Sequence, residues 1–196
     1  KRCNFNCVYC EVNRRVPGRN IPVEPTRVRE ELTALVKAVR EGRLCAEEKF
    51  RDAGTLARAI KDIAFSGDGE PTMVPTFSDC VEAAAEVRKA EGLLQTKIVL
   101  ITNASCLDQA YVQKGLSIMD TNNGELWAKL DAGTETWYRR INRSKVSLHH
   151  ILTNITATAR RHPLVIQSLF MRVRGQTMPP EELHASCDRL NDLVGA

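Results

Sequence analysis

Three cysteines stand close together at the start of the chain, in the run Cys3-Asn4-Phe5-Asn6-Cys7-Val8-Tyr9-Cys10. Thiolates are soft ligands that select zinc, copper(I) or iron-sulfur clusters. A structural zinc site normally closes with four protein ligands, whereas a reactive centre keeps one position open. The spacing Cys-x-x-x-Cys-x-x-Cys turns all three thiols onto one centre and offers no fourth ligand nearby, the first histidine being His149. That pattern favours an iron-sulfur cluster with one iron left to a ligand that is not protein. Half of a split zinc ribbon, or a ferredoxin-like fragment whose fourth cysteine lies elsewhere, fits the same spacing.

A second stretch with chemical potential is Gly67-Asp68-Gly69-Glu70-Pro71-Thr72. Gly67 and Gly69 would let backbone approach a ligand without side-chain obstruction, and Glu70 offers an acceptor for an ammonium group. A sharp turn carrying a solvated acid accounts for the same residues. Further polar residues stand at or near the ends of apolar runs: Asn103, Lys129 with Asp131, and Gln167. A capping asparagine, a surface ion pair and a core amide satisfied by backbone explain these equally well.

The elements that must position these residues follow from periodicity. Asp62 to Ser66, Lys97 to Thr102, Leu126 to Asp131 and Leu164 to Val173 are short apolar runs with the length and β-branching of buried strands. Between them lie helical stripes. Val28, Leu32, Leu35, Val36 and Val39 mark a helix over Thr26 to Arg43; further helices are expected over Phe77 to Lys89, Leu107 to Leu116 and Val146 to Arg161. Pro179 and Pro180 open a last helix whose buried side would be Leu183, Cys187, Leu190 and Val194. Cys45 to Lys61 reads as a second short helix interrupted at Gly54. Arg14, Arg15, Pro17, Gly18, Arg19 and Pro22 read as a surface loop, and Asn122-Asn123-Gly124 as a turn. The basic segment Gly133 to Lys145, with Trp137, Tyr138, Arg139, Arg140 and Arg143, reads as a loop beside the site, either touching phosphates and bases or simply solvated. Alternating strand and helix argue for an α/β fold with a parallel sheet and outer helices. Ligands in such folds sit beyond the carboxyl ends of the strands.

Composition is that of a globular chain of ordinary domain size: 196 residues, 43% hydrophobic, 27% charged, net charge +4. The charge permits an anionic partner without demanding one. No apolar run approaches the roughly 20 residues of a membrane helix, so no membrane partner is expected and the cytoplasm is the simplest compartment. Cys45, Cys80, Cys106 and Cys187 are scattered without a repeating interval, which suits small apolar residues in a reducing compartment better than a disulfide framework.

Cys3, Cys7 and Cys10, with Tyr9 before the last cysteine, resemble the signature loop of radical S-adenosylmethionine (SAM) enzymes. Gly67 to Pro71 resembles the Gly-Gly-Glu-Pro motif of the same superfamily, with Asp68 in place of glycine, and Ser66 to Thr72 is similar to the Fe-S oxidoreductase group related to wyosine-forming tRNA enzymes. Thr102-Asn103-Ala104 and Lys129 to Gly133 resemble later strand ends of that family. The resemblance implies an incomplete radical SAM partial (β/α)6 barrel, TIM-barrel-like, with residues 1–196 forming one core domain that lacks the first and the last strand. It implies a 4Fe-4S cluster on Cys3, Cys7 and Cys10 and SAM as cofactors. Tyr9 would meet adenine through its backbone, Gly67, Gly69 and Glu70 the amino group of SAM, and Asn103, Lys129, Asp131 and Gln167 its ribose or carboxylate. The activity implied is hydrogen abstraction by a 5'-deoxyadenosyl radical, with an external one-electron reductant and a substrate that is tRNA or a partner protein. Alternatives are glycyl-radical activation of a partner protein and an electron-transfer module without SAM chemistry. Because only Lys1 and Arg2 precede Cys3, the cysteine loop is expected to be poorly fixed, with unpaired strand edges and exposed apolar surface elsewhere.

Overall fold

The computed structural model describes residues 3–13, 22–50 and 59–194. The loop expected at Arg14 to Arg19 and the helix break expected at Gly54 lie outside them.

Four strands, β1 (Asp62–Phe65), β2 (Lys97–Thr102), β3 (Gly124–Lys129) and β4 (Leu164–Gln167), form one sheet in sequence order. All three pairings are parallel, with Ala64 opposite Val99, Leu100 opposite Leu126 and Ala128 opposite Ile166. β2 is the most enclosed: Ile98, Val99, Leu100 and Thr102 are buried, so side chains of both faces are covered. A continuous apolar strand of that kind is what a sheet flanked by helices on both sides requires. Each crossover carries helix, as parallel neighbours demand.

The helices are α1 (Pro25–Arg40), α2 (Phe77–Ala90), α3 (Ala110–Asp120), α4 (Glu135–Asn142), α5 (Leu148–Ala159) and α6 (Pro180–Val194). α2 buries Ala83, Ala84 and Ala85 together with Phe77, Val81 and Val87. Its small residues let it lie close to α3 and to α1, which packs on it through Val36 and Val39. The main core joins Phe77 and Val81 to Ile98, Leu100, Leu107, Leu116, Leu126, Ile151 and Ile155.

Three expectations are corrected. The basic segment is not a loop. Thr134 accepts from the Trp137 amide at 3.2 Å and starts α4, whose apolar side carries Trp137, Tyr138 and Ile141 into the core. β4 stops at Gln167, well before Val173, and the chain then reverses through Arg174 and Gly175, both at positive φ, with a bridge between Val173 and Gln176. The third concerns α6: Leu183, Cys187 and Val194 are exposed, and the residue it buries is Glu182. The Glu182 carboxylate accepts from the amides of Gly133 at 2.6 Å and Thr134 at 3.2 Å and from the Thr134 hydroxyl, so it satisfies donors that the start of α4 leaves over. α6 is thus held by a polar cap together with Leu190 and Leu193, which pack partly buried against the core. Val165, Leu169 and Phe170, on and just beyond β4, are exposed. Among the described residues no helix is long and apolar enough to cross a membrane.

The cap depends on close approach. A Cβ at Gly133 would overlap the backbone of Ala185 and Ser186. Gly133→Ala should therefore push α6 away and lower stability by about 1–3 kcal/mol, the usual cost of overpacking. Denaturant unfolding would register this as a lower midpoint; an unchanged midpoint would mean that α6 shifts freely and is not held at Gly133.

Candidate functional site

The cysteine loop is fixed, contrary to expectation, and the anchor is α4. A helix leaves its last carbonyls without intrahelical partners. Here the Asn6 amide donates to the Asn142 carbonyl at 3.0 Å and the Val8 amide to the Ile141 carbonyl at 2.8 Å. The Ser144 hydroxyl adds a bond to the Asn4 carbonyl at 3.3 Å. Phe5, 4% exposed, enters the core and meets the Tyr138 ring edge-on at 5.7 Å. The loop is thereby tied down by a helix end and one aromatic plug. A turn from the Cys7 carbonyl to the Cys10 amide, 3.1 Å, keeps the last two cysteines together.

Because all strands are parallel, their carboxyl ends lie at one end of the sheet, and the loop covers that end. Between them is a cleft of ≈ 190 Å³ lined by Cys3, Cys7 and Cys10 of the loop, Gly67, Gly69 and Glu70 after β1, Asn103 after β2, and Lys129 on β3. Tyr9 and Asn142 also line it. Asp131 and Gln167 are not among its lining residues; they stand behind Lys129, whose ammonium lies 3.4 Å from the Gln167 amide oxygen and 3.7 Å from Asp131. Gly67 has φ of 112°, a conformation that glycine adopts without strain.

Two buried carboxylates build the walls. Glu70 accepts from the Thr72 amide (3.1 Å) and hydroxyl (2.6 Å), the Thr102 hydroxyl (2.6 Å) and the Asn103 amide (2.7 Å), locking the end of β1 to the end of β2. Asp131 accepts from the Tyr9 hydroxyl, from Asn142 Nδ2 at 3.0 Å and from the Leu169 amide at 3.0 Å. That joins loop, α4 and the segment after β4 at a single side chain. Burial, then the Asp131 charge, push the Tyr9 phenol far above its ordinary range, so it remains a neutral donor. Lys129 lies over the Tyr9 ring at 5.3 Å.

The thiols are polarised by amides. Asn142 Nδ2 is 3.5 Å from Cys7 Sγ, while the Phe5 amide and Asn103 Nδ2 are 3.4 and 3.7 Å from Cys3 Sγ. Burial pushes the Cys7 thiol up and the Asn142 amide pulls it back. Among the described residues, no three His, Cys, Asp or Glu side chains converge as ligands of a single ion. A four-iron cluster places each thiolate on its own iron, so three thiols facing one shared cleft are a donor set that fits it. Of the other cysteines, Cys80 is buried and Cys106 half-buried, but Cys187 is exposed, which corrects its expected packing role; the Cys45 side chain lies outside the described part.

Asn142 also belongs to the site although no motif marks it, and Thr72 and Thr102, which stand within the motifs, hold the Glu70 carboxylate. Asn142 sat in the segment read as a loop; once that segment is a helix, its place in the last turn facing the cysteines follows. The aromatics of the same segment are unavailable for base stacking, Trp137 being 7% and Tyr138 2% exposed. Arg139 is paired with Glu135 at 2.6 Å, and Arg140 lies over the Trp137 ring at 5.1 Å.

No protein-family model matches the chain. Among curated proteins it is similar to the UPF0026 protein slr1464 of Synechocystis sp., 28% identical over 78% of this chain and 48% of the relative. It is also similar to a UPF0026 protein of Helicobacter pylori (strain 26695), 23% identical over 61% of this chain and 32% of the relative. The chain thus spans half or less of the length of these relatives. Among solved structures, TYW1 with a lysine-pyruvate adduct bound superposes with a TM-score of 0.60, at 22% identity over 87% of this chain and 53% of that one. Archaeal TYW1 gives 0.56 at 17% identity over 94% and 58%. Streptococcus suis SuiB bound to S-adenosylmethionine gives 0.56 at 14% identity over 98% and 34%. The fold is therefore the α/β, TIM-barrel-like fold of these three structures, of which this chain carries a parallel four-stranded sheet with outer helices.

Asp131 is the residue on which loop closure depends. Asp131→Ala would strand the Tyr9 hydroxyl and the amides of Asn142 and Leu169, at a cost of more than about 2 kcal/mol. Peptide-resolved alkylation should then find Cys3, Cys7 and Cys10 reacting faster than in the wild type, with Cys80 unchanged. Equal rates at the loop cysteines would show that the backbone bonds to α4 hold the loop unaided.

Proposed function

We propose that this chain is the core of a radical SAM enzyme, with a 4Fe-4S cluster and SAM seated in the cleft at the carboxyl end of the sheet. One observation carries the proposal: the thiols of Cys3, Cys7 and Cys10 and the glycine-rich turn from Gly67 to Glu70 come from distant parts of the sequence and line the same cleft. The SAM-bound state of SuiB, a protein of the same fold, supports the cofactor. When bound, the cluster and SAM would supply one-electron reductive chemistry that ends in hydrogen abstraction from substrate, with an external reductant as the electron source.

The chain's own residues hold and orient. Cys3, Cys7 and Cys10 would hold the cluster, with SAM as its non-protein partner in the same cleft. Gly67 and Gly69 present backbone at the cleft wall, and Glu70, fixed by its bonds to Thr72, Thr102 and Asn103, sets the wall's negative charge beside the SAM ammonium. Lys129 supplies the positive charge opposite, suited to the SAM carboxylate, and Asp131 and Gln167 position it. The Tyr9 backbone would meet adenine, while its hydroxyl ties the loop to Asp131.

For the substrate we propose tRNA. The wyosine-group form of Ser66 to Thr72 and the likeness to TYW1 support it. Arg140, Arg143 and Lys145 are exposed around the end of α4, next to the cysteine loop. With Trp137 and Tyr138 buried, this face would bind through phosphates and not by stacking, giving salt-sensitive binding with little sequence content.

The deciding experiment is anaerobic reconstitution of the full-length protein with iron and sulfide, followed by reduction and addition of SAM. 5'-Deoxyadenosine should form, and Cys7→Ala should abolish it. A stable cluster that leaves SAM intact under strong reduction would identify an electron-transfer module, and stoichiometric zinc without iron a structural site.

A further inference from the structure

We infer that the side-chain amides of Asn142 and Asn103 form a clamp on two cysteine sulfurs and raise the reduction potential of the cluster; the inference rests on the cluster reading above. The two amides come from different elements, the last turn of α4 and the end of β2, and reach different sulfurs, Cys7 at 3.5 Å and Cys3 at 3.7 Å. Sulfur is a large acceptor, so these are hydrogen-bond separations. Both asparagines are buried, 3% and 6% exposed, where water cannot take over the role.

Their orientation is determined by the surroundings. A side-chain amide has one donor end and one acceptor end. The Asn142 nitrogen also donates to the Asp131 carboxylate at 3.0 Å, and a flipped amide would press oxygen against oxygen. The Asn103 nitrogen donates to Asn4 Oδ1 at 2.9 Å, and its oxygen accepts from the Ser105 amide at 3.0 Å. In both cases the N–H, not the C=O, faces sulfur.

A purely scaffolding role explains less. Asn142 holds the loop backbone through its main-chain carbonyl, which any residue would provide. Its side-chain oxygen, though buried, has no hydrogen-bond partner among the described residues. What the side chain contributes is therefore its donor pair, shared between a carboxylate and a thiol. A donor on a neutral thiol gains little, but on a cluster thiolate it is charge-assisted. Each such bond stabilises the more negative, reduced cluster and so raises its potential.

The test uses full-length protein with reconstituted cluster, titrated electrochemically and followed by electron paramagnetic resonance. Asn142→Leu and Asn103→Leu should each keep the iron content and make reduction about three- to tenfold less favourable, tenfold being 59 mV for a one-electron couple. Acting on separate sulfurs, the two shifts should add in the double variant. Independently of any variant, wild-type protein carrying asparagine labelled with nitrogen-15 only at the side-chain amide should show nitrogen coupling to the reduced cluster by pulsed resonance. Unchanged potentials at full iron content would overturn the clamp. So would an absence of nitrogen coupling in the labelled wild type, which decides the matter if the leucine variants lose their iron. A wild type that takes up zinc and no iron would instead overturn the cluster reading itself, and the clamp with it.

Discussion

The arrangement depends on how the last turn of α4 receives the cysteine loop. A helix end buried without partners would be costly, and so would a loop whose amides faced an apolar sheet end. Each solves the other's problem: the carbonyls of Ile141 and Asn142 take the amides of Val8 and Asn6. Because α4 begins at the Glu182 cap and ends at the cysteine loop, α6, α4 and the loop form one mechanical series. The position of three reactive sulfurs is thus determined by ordinary backbone bookkeeping at both ends of a short helix.

Asp131 and Glu70 show how buried charge can serve geometry. Each carboxylate is almost fully enclosed, which is tolerable only because every approach is filled by a donor. Glu70 joins neighbouring strand ends, and Asp131 joins elements that are far apart in sequence. A hydrophobic residue at either place could fill the volume but could not specify which amide lies opposite. The walls of the cleft are in this way defined to within hydrogen-bond tolerances, and thiols, glycine residues and a lysine are among the groups that line it.

Much of this was legible in the sequence. β2 falls on the run from Lys97 to Thr102 because a strand buried on both faces is an unbroken apolar segment with no competing pattern. The cysteine spacing and the Gly67 to Glu70 turn were readable as chemistry because their residue types are unusual for packing alone. What escaped notice was tertiary in origin. The bonds from Glu182 to Gly133 and from Asp131 to Tyr9 span large separations and leave no periodic trace. α4 reads as a loop because Arg139 and Arg140 interrupt its short apolar pattern, although Thr134 three residues before Trp137 is a capping signal and Trp137, Tyr138 and Ile141 share one helical face. The spacing gives α6 an apolar face, of which Leu190 packs against the core, but the close approach of α6 to Gly133 leaves no trace in that spacing.

The same distinction bears on the asparagines. Asn103 stood out because it ends a strand, and a ligand contact was the natural assignment; in the folded chain its amide is committed to Asn4, Ser105 and Cys3. Asn142 stood out in no way, yet its amide bridges Asp131 and Cys7. A polar side chain at a strand end faces a cofactor cleft and the protein's own loop at once, and position along the sequence does not tell them apart. Hydrogen-bond accounting does so for the N–H groups: those of Asn142 go to sulfur and carboxylate and those of Asn103 to sulfur and Asn4, so their influence on a bound cluster would pass through the sulfur they touch.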